Sequence, residues 1–433
     1  MTHKSYQKSE ELLERAEKSI PLGTQTFSKS KTQFPYGISP YFIDRGEGSH
    51  VWDVDGNEYI DCINGLAAIT LGYNDPDVNK AVKEQLEKGT IFSLAHPIEM
   101  QVAEKIIEMV PCAEKVRFGK NGSDATSGAI RLARAYTGKE HVLVCGYHGW
   151  QDWYIGSTPR HIGVPECTRQ LTHAFEYNNL DSLKEKLEEL KGQVAAVILE
   201  PMNVKFPDKG FLEGVKDLTH QHDALLIFDE VVTGFRNANG GAQEYFGVVP
   251  DLASLGKGLA NGYPLSAVVG RAEIMNMMEE VYFSFTYGGE TLSLAAALAS
   301  LTKLQTHNVI EEVSKKGQRL KDQVNNLIQT NNLGDVLSVS GHPAWSFLII
   351  KDHEEYDNFT IRTFFMQEMM DNGVLTLGSH LLSYAHSEKD IDAIIASYQS
   401  FLEKLASGLK GKTLDDMLRC EPLRPLFKVR KDT

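Results

Sequence analysis

A short apolar run that ends in two acids, followed further on by a lysine between glycines, most constrains what this chain can fold into. Residues 225–228 are continuously apolar, which is typical of a strand buried on both faces of a sheet. Asp229 and Glu230 come next. We therefore expect the two acids at the carboxyl end of a strand, where open α/β sheets bind their ligands. Lys257 is flanked by glycine on both sides.

The lysine between glycines suggests three kinds of site. A Walker A loop is excluded, because Asp251 and Gly258 occupy the positions of its first glycine and its serine or threonine. A dinucleotide turn would use Gly256 and Gly258, but Asn261 replaces its third glycine, and the sequence predicts no strand immediately before the turn. A Schiff-base lysine needs a carbonyl cofactor, little steric hindrance and a site that lowers the pKa of its amine.

Asp229 favours the third kind of site. Pyridoxal phosphate accepts electrons well only while its ring nitrogen is protonated, and a carboxylate is held against that nitrogen. Taken singly, Asp229 could begin a turn and Lys257 could be a solvated surface residue. Taken together, the two residues indicate pyridoxal phosphate.

The segments around these residues, FDEVVTGFR and SLGKGLANGYPLSAVVG, resemble the class III (subgroup II) aminotransferases of fold type I. The likeness is greatest to glutamate-1-semialdehyde 2,1-aminomutases and their aminotransferase relatives, and it runs from about residue 20 to the C-terminus. It implies pyridoxal 5′-phosphate as cofactor, with Lys257 as the Schiff-base residue and Asp229 facing the ring nitrogen. It also implies an α/β fold (PLP-dependent transferase fold type I), with a mostly parallel central sheet in a large domain and a smaller α+β domain.

The order of apolar segments along the chain points to the same fold class. Between residues 66 and 246 helical and strand patterns alternate, which favours a mostly parallel sheet covered by helices. The predicted helices there are 76–88, 97–109, 123–137 and 179–191, and the predicted strands are 116–119, 142–145, 195–199 and 225–228. We expect an N-terminal segment (1–65) that joins the small domain, a large PLP-binding domain (66–305) and a C-terminal small domain (306–433).

Both ends of the chain have simpler patterns. The N-terminal part predicts a helix over 6–20 and strands near 41–44 and 50–53. The C-terminal part predicts helices over 293–304, 308–330 and 360–372, and strands near 336–340 and 347–351. A last helix is expected to start at Ser387, with Asp390 as its capping partner.

Charge and cysteine content limit the partners. The formal charge of −14 argues against nucleic acid or an anionic membrane surface as the main partner. No apolar run approaches the roughly 20 residues needed to span a bilayer, and the N-terminus is too polar for a signal peptide. The five cysteines are scattered and lack metal-site spacing. We expect a cytoplasmic protein without a metal site.

The cofactor phosphate has a candidate site at Gly122 and Ser123. They open a predicted amphipathic helix, and the free N–H groups at a helix N-terminus favour an anion. An ordinary N-cap by Ser123 would have the same pattern. The run from Gly122 to Ala125 is similar to the family's Gly-Thr/Ser-Glu-Ala turn, with Asp124 in place of glutamate. The resemblance therefore assigns Gly122 and Ser123 to the phosphate.

The resemblance also implies roles for five other residues. Tyr147 is expected to stack on one face of the cofactor ring and Val231 to pack against the other face. Glu200 is expected to orient neighbouring side chains, and we interpret His148 either as structural or as a support for a residue that touches the cofactor. Thr286 matches a threonine that related enzymes lend to the phosphate of the neighbouring subunit. That match implies a homodimer whose active sites lie at the subunit interface.

The residues that would choose the substrate depart from the family pattern. Lys29 stands where aminomutases have an arginine for the substrate carboxylate, and lysine does not replace that planar fork. Lys205 stands where other class III transaminases have a glutamate. The loop 149–170 is rich in aromatic residues and carries Arg160. Our hypothesis is an aminotransferase between an amino donor and the keto or aldehyde group of a small polar metabolite, sugar-like or phosphorylated. The alternative is glutamate-1-semialdehyde 2,1-aminomutase.

Two functions of other classes stay open at this stage. A dinucleotide-dependent reductase would place its cofactor near Gly256 and Gly258, and it would bind nicotinamide cofactors in place of pyridoxal phosphate. A non-catalytic relative would act through its surface, although Lys257 and Asp229 are both present. The pyridoxal-phosphate interpretation requires Lys257 and Asp229 to lie at one site.

Overall fold

The computed structural model describes residues 4–424, which form two compact units. One unit combines residues 4–75 with 311–424, and the other consists of residues 76–310. No helix in this described part of the chain is long and apolar enough to cross a membrane.

The N-terminal part of the first unit begins with the helix Gln7–Glu17 and the short 3-10 turns Pro21–Gly23 and Phe27–Lys29. A meander of three antiparallel strands comes next, namely β1 (Ile43–Glu47), β2 (His50–Asp53) and β3 (Glu58–Asp61). The turn after β3, Asn64–Ala67, is left-handed throughout, with φ between 48° and 71°.

The second unit is built on a seven-stranded sheet in the order β4-β10-β9-β8-β7-β5-β6. Of these seven strands, β10 runs in one direction and the other six run in the opposite direction. The mostly parallel sheet predicted from the sequence is therefore confirmed. The strands are β4 (Lys115–Gly119), β5 (His141–Cys145), β6 (Thr172–Ala174), β7 (Val194–Leu199), β8 (Leu225–Glu230), β9 (Leu252–Leu255) and β10 (Ser266–Gly270).

Helices cover both faces of this sheet, because the inner strands are apolar on both sides. The α-helices are Pro76–Leu86, Pro97–Met109, Gly122–Thr137, Asp152–Ile155, Glu166–Arg169, Leu180–Glu189, Phe211–Gln221, Ala242–Phe246, Ala272–Met275 and Thr291–Thr306. Two 3-10 turns complete the unit, Lys257–Ala260 and Asn276–Glu279. One buried layer lies under the helix Gly122–Thr137, and the other lies under the helices Leu180–Glu189 and Phe211–Gln221.

The C-terminal part of the chain comes after the helix Val309–Thr330. It adds β11 (Leu337–His342), β12 (Trp345–Ile350), β13 (Val374–Leu375) and β14 (Ser379–Leu381), and the helices Asn358–Asp371, Glu388–Gly411 and Leu414–Met417. Strand β13 pairs parallel with β3, which joins the two ends of the chain in one sheet. The predicted cap is present, since Ser387 Oγ accepts the N–H of Asp390 at 3.2 Å.

One expectation about the second unit is wrong. The sequence predicts no strand before Gly256, whereas β9 ends at Leu255, the residue immediately before it. The four residues Leu-Ala-Ser-Leu are too short and too small to stand out as an apolar run. After Gly256 the chain forms a single 3-10 turn, whereas a dinucleotide fingerprint would open a helix there.

Candidate active site

The two acids at the end of β8 lie on opposite faces of the sheet. Ile227 packs in the core layer under the helix Gly122–Thr137, and Phe228 packs in the layer on the other face. Because side chains alternate along a strand, Asp229 belongs to the first face and Glu230 to the second. Both are buried, with 5% and 0% of their surface exposed. The two carboxyl groups therefore have separate surroundings.

Glu230 anchors the loop that comes after the strand. Its carboxylate accepts hydrogen bonds from Thr233 Oγ1 at 2.7 Å, from the N–H of Ala242 at 2.7 Å and from the N–H of Gln243 at 2.9 Å. Burial raises the pKa of this carboxyl, and the donors oppose that rise. These bonds hold the segment 231–243 in place, so the geometry gives Glu230 a structural task.

Asp229 has fewer donors, and one of them is a histidine. Its Oδ1 accepts the N–H of Val231 at 3.1 Å, and its Oδ2 lies 2.8 Å from Nδ1 of His148. Since an ionised carboxylate only accepts, the imidazole donates. The side chain of His148 is fully buried. The carboxylate keeps acceptor positions beyond these two bonds.

Lys257 comes after β9 at the same edge of the sheet. In the parallel pair of β8 and β9, Asp229 lies opposite Ser254 and Glu230 lies opposite Leu255. Lys257 is two residues beyond Leu255 and has a left-handed backbone, with φ of 42°. Left-handed backbone in a residue other than glycine is strained, and such strain is often found at functional sites. The acid and the lysine therefore leave adjacent strands at one edge.

Val231 is in close contact with the two glycine-containing segments of the site. A Cβ atom built on Gly122 would lie 2.7 Å from Cγ1 of Val231, and one built on Gly256 would lie 3.3 Å from the same atom. Gly122 thus permits an approach that no larger residue would allow. The start of a helix, the residue after the acid pair and the residue before Lys257 consequently meet at one place.

The helix Gly122–Thr137 points its N-terminus at this place. The carboxylate of Asp124 accepts the N–H of Asn121 at 2.8 Å, which fixes the turn before the helix. The first N–H groups of a helix have no acceptor within it, and with the helix dipole they attract anions. Ser123 Oγ accepts the N–H of Trp150 at 3.3 Å, so the turn also holds the segment after β5.

Glu200, next after β7, holds the backbone at Tyr147. Its Oε2 accepts the N–H of Tyr147 at 2.9 Å, and its Oε1 accepts Nδ2 of Asn203 at 2.8 Å. The ring of Tyr147 is 43% exposed and meets the ring of Tyr154 edge-on, with centroids 5.7 Å apart. An exposed aromatic face on a fixed backbone is suited to stacking on a planar ligand.

Together these groups fit a planar aldehyde that carries a phosphate. Asp229 offers a buried carboxylate for a protonated ring nitrogen, and Lys257, just after the adjacent strand, offers an amine. Gly122 offers close access and helix N–H groups for an anion. The three groups lie where the carboxyl ends of parallel strands meet, which is the usual ligand site of such sheets.

Four predicted site residues have a defined position in the structure, but none of them belongs to the group around Asp229 and Lys257. Thr286 and Lys205 are exposed, in the segment before the helix Thr291–Thr306 and in the loop after β7. Arg160 is half-buried in the loop 149–170. Lys29 is exposed and belongs to the other unit. Their roles remain predictions.

The sequence does not reveal the partner of Asp229. It predicts that His148 is structural or supports a residue that touches the cofactor, without identifying that residue, and in the structure the ring of His148 bonds the carboxylate of Asp229. The two residues are 81 positions apart, so no local spacing could reveal the pair. The sequence does offer one signal. Asp229 lies near the end of one predicted strand and His148 lies just beyond another, and the carboxyl ends of parallel strands meet at one edge of the sheet.

Three comparisons with known proteins bear on this site. The family model described as "Aminotransferase class-III" matches residues 33–388. The chain is 34% identical to a 3-aminobutyryl-CoA aminotransferase of Cloacimonas acidaminovorans, covering 92% of this chain and 97% of that protein. It is 37% identical to a glutamate-1-semialdehyde 2,1-aminomutase of Desulforamulus reducens, covering 92% and 98%. The structure of the PLP internal aldimine form of the Sphingopyxis sp. MTA144 FumI protein superposes with a TM-score of 0.87 at 27% identity, covering 96% and 99%.

Proposed function

The chain belongs to the class-III aminotransferase family and is a pyridoxal-phosphate-dependent enzyme, and from this premise we propose how its own residues divide the work. Lys257 binds the cofactor aldehyde through its ε-amine. Asp229 accepts the hydrogen of the ring nitrogen, and the turn at Gly122 and Ser123 binds the phosphate. When bound, the cofactor supplies an electron sink for the carbon that loses its proton.

The remaining residues of the group hold the ring. Tyr147 stacks on one face and Val231 packs on the other, where its contact with Gly122 and Gly256 keeps it in place. Glu200 fixes the backbone of Tyr147 and does not itself react. With the cofactor bound, Lys257 would be the acid and base that moves the proton between the substrate carbon and the cofactor.

The observation that carries this proposal is the position of Asp229 at the end of β8 and of Lys257 just after the adjacent parallel strand β9. Val231 lies close to both Gly122 and Gly256 at the same edge of the sheet. The test is a spectrum of the purified protein with added pyridoxal phosphate, followed by borohydride reduction and peptide mapping. We expect absorption near the visible edge and a reduced adduct on Lys257. Lys257→Ala should lose the adduct, and Lys184→Ala, an exposed lysine, should keep it. An adduct elsewhere on the wild-type chain would overturn the proposal.

We further propose that the enzyme transfers the amino group between two substrates. The expected carboxylate clamp is altered, because Lys29 replaces an arginine. The acceptor we propose is a keto or aldehyde group on a small polar metabolite, sugar-like or phosphorylated.

A panel of amino donors tests the substrate class. Each donor that reacts converts the bound aldehyde to the amine form and removes the visible absorption. Keto sugars and phosphorylated aldehydes are then scored for restoring it. We expect the polar acceptors to exceed simple 2-oxo acids, and a preference for simple 2-oxo acids would contradict the proposed acceptor.

The aminomutase remains the second candidate, because relatives at 35–38% identity carry that name. It would move the amino group within one substrate. Efficient conversion of glutamate-1-semialdehyde to 5-aminolevulinate, without any added donor or acceptor, would establish it over the transaminase. We keep the cytoplasmic location as part of the proposal.

We also propose a homodimer. Large apolar side chains are exposed on two segments that lie side by side, since the N–H of Thr291 bonds the carbonyl of Thr90 at 2.9 Å. These side chains are 39–87% exposed: Ile91, Phe92, Leu94, Tyr282, Phe285 and Tyr287. Several large apolar side chains exposed on neighbouring segments favour a protein interface. Thr286, the residue proposed to serve the partner's phosphate, lies on one of these segments.

The dimer is tested by placing a charge among these side chains. Leu94→Glu should yield monomers in light scattering at micromolar concentration, and cofactor affinity should fall with dissociation. Leu86→Glu, on the exposed side of the helix Pro76–Leu86, is the matched control and should stay dimeric. A monomeric wild-type protein with full activity would contradict the proposal.

A further inference from the structure

Two histidines lie side by side at the outer edge of the seven-stranded sheet. Strand β6 is the last in the order of strands, and β5 is its neighbour. His141 opens β5, and His173 is the middle residue of β6, opposite Leu143 in the parallel register. Since side chains two residues apart point to the same face of a strand, both imidazoles lie on the face of Leu143. The register therefore pairs two residues that are 32 positions apart in the sequence.

The two imidazoles approach each other closely through one nitrogen each. Nδ1 of His141 lies 2.9 Å from Nε2 of His173, and the rings stack with centroids 5.1 Å apart and planes 28° apart. Both side chains are half-buried, so the pair has access to solvent. With both rings neutral, one of these nitrogens carries a hydrogen and the other a lone pair. That hydrogen can move to the outer nitrogen of its ring, and two lone pairs then face each other.

The surroundings of His173 favour its neutral form. Burial, and after it the neighbouring His141, lower the pKa of His173, although Glu189 acts in the opposite direction. The carboxylate of Glu189 lies 2.6 Å from Nζ of Lys186, so a cation of its own helix already balances it. A lone pair on His173 is consequently available near neutral pH.

The separation of the two nitrogens matches that of neighbouring ligands on a metal ion. Imidazole nitrogens bind such ions at about 2.0–2.1 Å, so two of them at a right angle are about 2.9 Å apart. Tetrahedral ligands at the same distance from the ion would be about 3.4 Å apart. Right angles between ligands are typical of copper(II) and nickel(II), which also accept imidazole. No group of three or more histidine, cysteine or carboxylate ligands is found in the described part of the chain, so water would fill the other positions.

We propose that His141 and His173 form a binding site for a divalent transition-metal ion that favours right-angled ligands, of the copper or nickel type. Each imidazole gives the ion one lone pair and keeps its hydrogen on the outer nitrogen, so binding releases no proton. The bound ion joins β5 to the edge strand β6 and thereby holds the end of the loop 149–170, which leads into β6. The site is separate from the candidate active site, since Tyr147 comes after the opposite end of β5. This inference does not rest on the proposed function.

Calorimetric titration of the untagged holoenzyme with nickel(II) and electron paramagnetic resonance with copper(II) test the site. Wild type should bind one equivalent of either ion per chain, and the copper spectrum should show two nitrogen ligands. His141→Gln and His173→Gln should each lose this equivalent. His307→Gln, which removes an exposed histidine at the end of the helix Thr291–Thr306, is the matched control and should keep it. Because pyridoxal phosphate can itself bind these ions, the apoprotein is titrated as well and should show the same equivalent.

A bound ion should also change the behaviour of the strand edge. At a metal concentration about 100 times the dissociation constant, amide hydrogen exchange of the peptide 170–175 through openings that release the ion should slow about a hundredfold. His173→Gln should show no such slowing. If a variant does not fold, modification of the wild-type histidines by diethyl pyrocarbonate, mapped by mass spectrometry, takes its place. Nickel(II) should then protect His141 and His173 and leave His307 reactive.

The outcomes decide between a metal site and a hydrogen-bonded pair. Absence of the equivalent in wild type, or its persistence in both glutamine variants, would overturn the inference and leave a hydrogen bond alone between the two rings. Loss of the equivalent in His307→Gln, or a copper spectrum with a single nitrogen ligand, would show an adventitious ion only and would overturn it as well. None of these outcomes affects the adduct expected on Lys257, so the proposed function is tested separately.

Discussion

Two aspartates in the seven-stranded sheet of the second unit invite comparison, because they resemble each other closely and have different tasks. Asp229 lies near the carboxyl end of β8, and Asp251 immediately precedes the first residue of β9. Both are buried, at 5% and 3% exposure. Each carboxylate oxygen Oδ2 lies 2.8 Å from a histidine nitrogen, that of His148 or that of His220.

The difference lies in the other partners. Asp251 also accepts Nη1 of Arg271 at 2.8 Å and the N–H of Leu226 at 2.8 Å. Burial acts to raise the pKa of the Asp251 carboxyl, but the bonds from His220, Leu226 and Arg271 outweigh it and leave the pKa below its ordinary value. This carboxylate is neutralised by its own chain.

Asp229 has no arginine or lysine in ion-pair contact within the described part of the chain, and its donors are His148 and the N–H of Val231. A buried carboxylate with two donors retains acceptor positions, and burying its charge without a cation is unfavourable. Under the proposed function, a protonated pyridine ring would supply the missing cation. We therefore assign Asp229, a buried carboxylate without a cationic side chain as partner in this part of the chain, to the ligand site. Asp251, which bonds Arg271, His220 and Leu226, has a structural role.

The largest expected effect tests this distinction through activity. Asp229→Asn removes the negative charge but keeps the shape, so the ring nitrogen loses the partner that keeps it protonated. We expect amino transfer to fall by about 10³-fold, in the range seen when one electrostatic group of an active site is removed. Single-turnover loss of the visible absorption after adding an amino donor measures it.

The control for this effect is Asp251→Asn. Single-turnover rates of that variant should stay within about threefold of wild type at a temperature where it is folded. Equal losses of single-turnover rate in the two variants would mean that catalysis depends on the integrity of the sheet. The difference between Asp229 and Asp251 would then not reflect a difference in function.

The sequence predicts the position of only one of these two aspartates. Residues 225–228 stand out as an apolar run, so Asp229 at a strand end can be predicted, with pyridoxal phosphate and the fold class. Asp251 precedes Leu-Ala-Ser-Leu, which is too weak a strand pattern, so its position at the opposite edge cannot be predicted. The donors of both acids come from distant segments, and such pairings depend on strand order, which periodicity does not encode.

The second effect is on stability and on its dependence on pH. Asp251→Asn should lower the apoprotein's unfolding free energy by about 2 kcal/mol, since bonds to a charged group are lost and His220 and Arg271 are left without it. Because the pKa of Asp251 is depressed in the folded state, its stabilisation is full above the ordinary carboxyl range near 4. That stabilisation is lost as the pH falls through the folded-state pKa.

Urea unfolding of the apoproteins from pH 7 to pH 3 measures this effect. The stability difference between wild type and Asp251→Asn should shrink toward the acid end. Asp229→Asn should show a smaller loss at neutral pH, because in the apoprotein that charge is buried without a cation. If Asp229→Asn lowers the unfolding free energy more than Asp251→Asn does, the two donors of Asp229 already compensate for burying its charge.

The smallest effect separates the cation from the other donors of Asp251. Arg271 is 45% exposed, so water screens its charge, and exposed ion pairs contribute at most about 1 kcal/mol. Arg271→Gln should therefore destabilise the apoprotein by less than about 1 kcal/mol and leave cofactor binding unchanged. Urea unfolding of the single variants and of Asp251→Asn/Arg271→Gln gives the coupling between the two residues. If Arg271→Gln alone lowers the unfolding free energy as much as Asp251→Asn does, the stabilisation by Asp251 comes mainly from its ion pair with Arg271. The bonds from Leu226 and His220 would then contribute little.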